Sequence, residues 1–204
     1  MDKRRATPSP RQTELLEAAY GYVLQHGITG TSLRPLAEAI GSSTRVLMFL
    51  FGTKDGLIRA LLERARADEI DALETLAPTS TGLAAGIETL WSWLSSDSHR
   101  PLLLLWVECY TRSLLDNEGP WADFAEETVT SWLGLLERYQ PDEERTSRSG
   151  LVERTLALAV LRGALLDLLA TSDRERSSAA VLHFIALITR PGSAVRCRTA
   201  AARP

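Results

Sequence analysis

Apolar side chains recur along this chain at steps of three and four residues, and the strict alternation that is typical of strands is almost absent. Leu15, Ala19 and Tyr22 show the pattern, since this spacing places them on one face of a helix. Glycine and proline interrupt the pattern where helices are expected to end. The sequence therefore predicts an all-α protein of about nine helices: residues 11–26, two short helices ending near 40 and 50, a long helix at 53–76, and further helices at 83–95, 101–115, 121–139, 150–170 and 174–188.

The two short helices have the features of a helix-turn-helix. Such a motif needs a small residue on the first helix and, four positions later, a residue that adopts positive φ. Ala37 and Gly41 have this spacing, and Leu36, Ile40 and Leu47 supply apolar contacts around the turn. A generic helical hairpin has the same features, so the pattern alone leaves both interpretations open.

Charge is distributed unevenly along the chain. The formal net charge is −3, but residues 1–66 carry ten basic and six acidic side chains, and the remainder carries 13 basic and 20 acidic ones. Attraction to phosphate depends on the local field, so a basic first third favours a polyanionic partner for that part. Ordinary scatter of surface charge is the alternative.

The stretch 15–63, about a quarter of the chain, contains a set of landmark residues: Ala18-Ala19, Gly27, Thr31-Ser32, Leu36-Ala37-Glu38-Ala39, Gly41, Ser43, Leu47, Phe51 and Thr53-Lys54-Asp55-Gly56-Leu57. With these residues the stretch resembles the DNA-binding domain of the TetR family of bacterial transcriptional regulators. The resemblance implies a three-helix DNA-binding domain at 11–53, followed by a larger helical ligand-binding and dimerisation domain at 54–189. Residues 1–10 are expected to form a disordered basic arm, and residues 190–204 a flexible tail.

The resemblance also implies a role for individual residues. The third helix would enter the major groove and present Ser42, Ser43, Thr44 and Arg45 to bases and phosphates, with Arg45 on a guanine. Phosphate contacts would come from Thr31, Ser32, Arg34, Thr53 and Lys54, at the starts of the second and fourth helices. Lys3, Arg4 and Arg5 either reach toward the minor groove or belong to a disordered tail.

Three positions depart from the family's usual pattern. An apolar residue after the turn glycine, a tyrosine after the core leucine and a histidine next are common, whereas this chain has Ser42, Met48 and Phe49. The run 46–51 contains no polar residue, so at least one of Met48, Phe49 and Leu50 is expected to face outward. Met48 and Phe49 are therefore counted among the DNA contacts, packing against thymine methyl groups and sugars; weak DNA binding is the alternative.

The last two predicted helices are apolar over more than one face. Such a surplus face suits a four-helix bundle with a second copy of the chain, as the resemblance also implies, and Gly163 allows a neighbour to approach closely. An ordinary monomeric core is the alternative. Arg162 and Asp167 lie five positions apart in the first of these helices, so each is expected to find its partner on another helix or subunit.

All five tryptophans lie between residues 90 and 133. Together with nearby aromatic and charged residues they predict an apolar effector cavity between helices, although aromatic residues at helical spacing also fill ordinary cores. The candidate ligand contacts are Trp91, Trp106, Glu108, Tyr110, Trp121, Phe124 and Arg162.

Several classes of function are disfavoured. The sequence lacks the glycine-rich, zinc-protease and nucleophile-elbow motifs of common enzymes, and Cys109 and Cys197 show no metal-site spacing, so no catalytic residue, metal or cofactor is predicted. No apolar run approaches the length that spans a bilayer, and we expect a cytoplasmic protein without membrane contact.

The favoured function is a homodimeric, ligand-responsive transcriptional repressor. It would bind a palindromic operator and be released by a small, largely apolar effector. Two alternatives stay open at this point: a small-molecule-binding helical dimer with weak or lost DNA binding, and a helical enzyme whose site is the tryptophan-rich cavity.

Overall fold

The computed structural model describes residues 9–28, 31–76, 81–116 and 118–190, apart from the side chain of Leu73. These residues form helices and no strand, which confirms the predicted fold class. The predicted arm at 1–10, with Lys3, Arg4 and Arg5, lies outside the described residues except for its last two positions. The predicted tail, with Cys197, lies outside them beyond Arg190.

The helices are α1 (Pro10–His26), α2 (Leu33–Ala39), α3 (Thr44–Phe51), α4 (Lys54–Thr75), α5 (Leu83–Leu94), α6 (Arg100–Leu115), α7 (Phe124–Tyr139), α8 (Asp142–Arg145), α9 (Arg148–Thr171) and α10 (Arg174–Ile188).

Side-chain caps fix most of the predicted helix starts. Ser9, Ser43, Thr53, Ser147 and Asp173 each accept a hydrogen bond from a backbone N–H in the first turn of the helix that follows. These short polar side chains compete for orphan amides at helix starts, so the sequence signals them well.

Two predictions about the helices need correction. The helix expected from residue 121 begins at Phe124, because Gly119–Trp121 forms a separate 3-10 turn and Asp123 has a φ of 66°. The described residues also contain a tenth helix, α8, whose four residues are too few to show an apolar period.

The described residues form two compact units. The first holds those from 9 to 76 and from 96 to 135, and the second holds those from 81 to 95 and from 136 to 190. No helix in these ranges is both long and apolar enough to cross a membrane. The division of the chain into a DNA-reading part at 11–53 and an effector part at 54–189 stays a prediction.

The first unit has one apolar core to which α1, α2, α3 and α4 all contribute. Leu15, Leu36, Leu47 and Leu57, one from each of α1 to α4, are at most 2% exposed and belong to the same cluster. Cys109 of α6 is also part of it, and burial raises the pKa of its thiol to about 12. The thiol is therefore protonated at neutral pH and packs as a small apolar side chain.

The second unit packs α5, α9 and α10 around leucine side chains. The Trp91 indole N–H donates to the Ser178 hydroxyl at 3.0 Å, which links α5 to α10. Asp167 of α9 forms an ion pair with Arg176 of α10 at 2.6 Å, which confirms that its partner lies on another helix. These contacts hold the last two helices together within the subunit.

Candidate nucleic-acid interface

The turn between α2 and α3 has the predicted geometry. Gly41 has a φ of 65°, in the region that favours glycine, and Ala37 is buried under the turn. The Ser42 backbone N–H donates to the Ala37 carbonyl at 2.8 Å, and Leu36 and Leu47 are buried on either side. α2 and α3 thus form a helix-turn-helix.

Replacing Gly41 with alanine is expected to lower the free energy of unfolding by about 1–2 kcal/mol, because a Cβ is strained at positive φ. Urea unfolding followed by circular dichroism measures the change. Gly21→Ala is the matched control, since Gly21 lies inside α1 and an alanine Cβ at that position would have no neighbouring atom within 4 Å, so we expect it to raise stability by about 0.5–1 kcal/mol. Equal effects of the two substitutions would show that the turn does not require positive φ.

α3 is held at both ends by side-chain hydrogen bonds. The Ser43 hydroxyl accepts from the Val46 N–H at 3.3 Å, and the Gln12 side-chain amide of α1 donates to the Leu50 carbonyl at 3.2 Å. The hydroxyl of Ser43 is therefore used by the helix cap. The Ser42 hydroxyl oxygen is buried, with no hydrogen-bond partner among the described residues, so it would have to rotate to reach a base.

One face of α3 is solvent-exposed, and it carries a cation and an aromatic ring. Arg45 is exposed and forms no ion pair or hydrogen bond with any described residue, and Phe49 is 86% exposed. Thr44 is exposed beside them, whereas Met48 and Leu50 are half-buried against the core. At least one of Met48, Phe49 and Leu50 was expected to face outward, and Phe49 does so.

The starts of α2 and α4 supply further polar groups. Ser32 caps α2 without a side-chain hydrogen bond to it, while the Thr31 hydroxyl donates to the Gly27 carbonyl at 2.7 Å. Arg34 pairs with Glu38 at 2.9 Å, but both side chains are largely exposed and such a pair is weak enough to exchange. At α4, the Thr53 hydroxyl accepts from the Gly56 N–H at 2.9 Å.

Lys54 is the cation best placed at the start of α4. Its side chain is exposed and makes no ion pair within the described part of the chain. The amides of the first helical turn favour an anion, and Lys54 adds a full positive charge to them. Arg59, which the sequence analysis did not single out, is a second exposed cation on α4, and it forms no ion pair with another described residue.

A polar network fastens α1 to α4. Arg64 pairs with Glu17 at 2.6 Å and with Asp68, and its guanidinium lies 4.8 Å from the centre of the Tyr20 ring. The Tyr20 hydroxyl donates to Asp68 at 2.8 Å. Burial, and then this hydrogen bond, raise the pKa of Tyr20, so the hydroxyl stays a donor at neutral pH. The network fixes the position of α1 on the long helix.

A second network, which sequence reasoning missed, joins α4 to α7. Arg66 donates to the Glu127 carbonyl at 2.8 Å and to the Ser131 hydroxyl at 2.7 Å, and it pairs with Glu69 on its own helix. Glu69 is 6% exposed and accepts from the Trp132 indole N–H. The i, i+3 spacing of Arg66 and Glu69 was a signal for the pair, but nothing local indicated partners about sixty positions away.

The candidate effector contacts are divided between the two units. Trp106, Glu108, Tyr110, Trp121 and Phe124 lie in the first unit, and Trp91 and Arg162 lie in the second. Several have structural contacts: Glu108 accepts from the Ile28 N–H at 2.9 Å, and the rings of Trp106 and Tyr110 lie 5.1 Å apart. Their role in ligand binding stays a prediction.

Two clefts flank the Gly119–Trp121 turn in the first unit. One, of about 420 Å³, is lined by Trp121, Arg112 and the start of α4 at Lys54 and Asp55. The other, of about 300 Å³, is lined by Phe124 and by Arg59 and Arg66 of α4. Both volumes fall within the lower range of small-molecule sites, roughly 300–1,000 Å³. The Arg112 Nε is buried with no hydrogen-bond partner in the described ranges, and its guanidinium lies 5.7 Å from the Trp121 ring centre.

Comparison with known proteins shows which sequences and folds this chain is similar to. No protein-family model matches the chain. A curated relative, the HTH-type transcriptional regulator BetI of Burkholderia lata, is 25% identical over 176 residues, which cover 77% of this chain and 86% of that protein.

Several solved structures share the fold. A Rhodococcus protein described as a TetR-family transcriptional regulator superposes with a TM-score of 0.70 at 18% identity, covering 88% of this chain and 99% of its own. The multidrug binding protein EbrR, solved with imidazole, has a TM-score of 0.59 at 25% identity and covers 86% of this chain and 94% of its own. These likenesses confirm the resemblance seen in residues 15–63: the chain has the fold of the TetR-family transcriptional regulators.

Proposed function

We propose that this protein is a transcriptional regulator that reads duplex DNA with the exposed face of α3. The observation that carries the proposal is Arg45, which pairs with no described residue and lies on an exposed face of the second helix of a helix-turn-helix. An arginine that has no partner among the described residues keeps all its donors for a guanine, whose O6 and N7 match the guanidinium fork. The curated relative, a helix-turn-helix regulator, supports the same function.

Phosphate contacts would orient α3 in the groove. The N-terminus of α2 at Ser32 and that of α4 at Lys54 belong to the same unit as α3, and each offers backbone amides of a first helical turn. Lys54 would neutralise one phosphate directly, and Arg34 would do so after exchanging Glu38 for DNA. These contacts give affinity and register, and Arg45 gives sequence preference.

A second copy of the chain would complete the regulator. On α9 an exposed apolar and small-residue stripe repeats at steps of three and four residues: Val152, Leu156, Ala159, Gly163, Leu166 and Ala170. α10 exposes Leu182 at 54%, with Ala179 and Ala186 one turn to either side. Two such helices from each copy would form a four-helix bundle, and the resulting two-fold symmetry requires a palindromic operator.

The effector would act through α4. Both clefts beside the Gly119–Trp121 turn are lined by residues of α4, and α4 follows α3 directly in the chain. A ligand in either cleft would therefore contact the helix that is joined to α3. EbrR has been solved with imidazole and with proflavin, which supports a ligand-responsive function for this chain. For a repressor released by its effector, the ligand must bind the DNA-incompetent state more tightly.

Selection of binding sites from random duplex DNA, followed by fluorescence anisotropy on the selected site, tests the function. We expect a palindromic site whose affinity falls by about a hundredfold or more between about 50 and 200 mM salt, because phosphate contacts release counterions. Lys54→Ala should weaken all duplexes by a similar factor and flatten the salt dependence. Effector candidates are then tested for their ability to release the protein from that site. Trp121→Ala should abolish the response to a ligand that binds the 420 Å³ cleft, which Trp121 lines.

A second candidate function is supported by the apolar character of α3. Met48 has no hydroxyl that could donate a hydrogen bond to phosphate, and the exposed Phe49 has no polar group. The alternative function is therefore a small-molecule-binding dimer that has lost DNA binding. Ligand binding without any salt-dependent, sequence-selective DNA binding would favour it over the regulator.

A further inference from the structure

The apolar residues of α3 separate into an inward and an outward set. Leu47 is fully buried, and Met48, Leu50 and Phe51 pack against the core of the first unit. The outward set is Val46, which is 37% exposed, and Phe49, which is by far the more exposed of the two at 86%. Its ring is therefore available for a contact outside the subunit.

Phe49 lies one helical turn from Arg45. Residues at i and i+4 lie on the same face of a helix, about 6 Å apart along its axis. With bases stacked at about 3.4 Å, a partner of Phe49 would lie within about two base pairs of the partner of Arg45. A cation without a partner among the described residues and an exposed ring on the same face suit a surface that is anionic overall and has an apolar group within the groove.

The chemistry of the ring limits what it can read. Phenylalanine has no hydrogen-bond donor or acceptor, so it cannot use the polar edges of guanine, adenine or cytosine. The C5-methyl group of thymine is the apolar group that the major groove presents. We propose that Phe49 is a specificity-determining residue that packs against a thymine methyl within about two base pairs of the Arg45 contact in each half-site. This inference rests on the proposed DNA-binding function.

Replacing thymine by deoxyuridine tests the contact, because it removes the methyl group and leaves base pairing unchanged. Each thymine of the selected operator is replaced in turn, in both half-sites, and affinity is measured by fluorescence anisotropy. At one position per half-site, wild-type protein should lose about fourfold in affinity for each methyl removed. Phe49→Ala should bind the thymine and deoxyuridine operators equally, and Phe49→Leu, which keeps an apolar side chain, should retain part of the difference.

Arg45→Ala is the control. It should bind both operators more weakly and keep the fourfold difference between them, since its contact is made with another base. Phe49 is exposed, so its alanine variant should melt like the wild type, which separates a lost contact from a folding defect.

Three results would overturn the inference. An operator that wild type binds equally at every deoxyuridine position, or a penalty that persists in Phe49→Ala, refutes the thymine contact and leaves the regulator function standing. Absence of sequence-selective DNA binding by wild type refutes both.

Discussion

Replacing Arg45 with alanine is expected to lower the affinity of the proposed dimer for its selected operator by about thirtyfold to more than ten-thousandfold. A bidentate arginine–guanine pair contributes roughly 1–3 kcal/mol, and a symmetric dimer loses two such pairs, or about 2–6 kcal/mol. The side chain is exposed and forms no hydrogen bond or ion pair with the described residues, so the loss should appear in binding and leave stability unchanged. Fluorescence anisotropy at fixed salt measures the change.

Arg148→Ala is the matched control for Arg45→Ala. Arg148 is an exposed arginine of the second unit that also lacks an ion pair within the described ranges, so its removal changes the net charge of the protein equally. We expect this variant to bind the operator with wild-type affinity. Equal losses for the two variants would mean that net charge, and not a base contact by α3, accounts for binding.

Introducing a glutamate at Leu156 is expected to dissociate the dimer and abolish operator binding at protein concentrations where the wild type binds fully. Leu156 is 52% exposed in the centre of the apolar stripe on α9. In the proposed four-helix bundle the two-fold axis brings this face against its own copy, so the substitution buries an unpaired carboxylate in each subunit. We expect the dimer dissociation constant to rise by at least about a hundredfold. Analytical ultracentrifugation measures it.

Leu104→Glu makes the same chemical change at a similarly exposed leucine, since Leu104 is 48% exposed on α6 of the first unit. This control should remain a dimer. If both variants stay dimeric, the stripe on α9 is not the interface. If both dissociate, the effect is not specific to that stripe.

Local signals explain why most helices were predictable. Ser43, Thr53 and Asp173 each cap the helix that follows, and the glycine at position 41 takes the positive φ that the turn requires. All of this information lies within a few residues. α8 and the turn before Phe124 were missed because neither contains enough residues for a helical period.

Contacts between distant segments could not be predicted in the same way. Arg66 of α4 has a side chain that is only 16% exposed and hydrogen-bonds to α7, about sixty positions along the chain. Which of three apolar residues on α3 faces outward depended on how α3 packs against the core, and the sequence left that choice open. The candidate effector residues likewise fall into two different units, a division that follows from tertiary packing and that composition does not encode.

Repeating the binding-site selection with Arg45→Ala tests the central claim, that α3 reads DNA through Arg45. For the wild type we predict a palindromic motif with one strongly preferred guanine in each half-site. The variant should keep the spacing of the half-sites, which the dimer sets, and lose the preference for that guanine at both symmetric positions. An unchanged motif from Arg45→Ala, or no motif from the wild type, would contradict the claim.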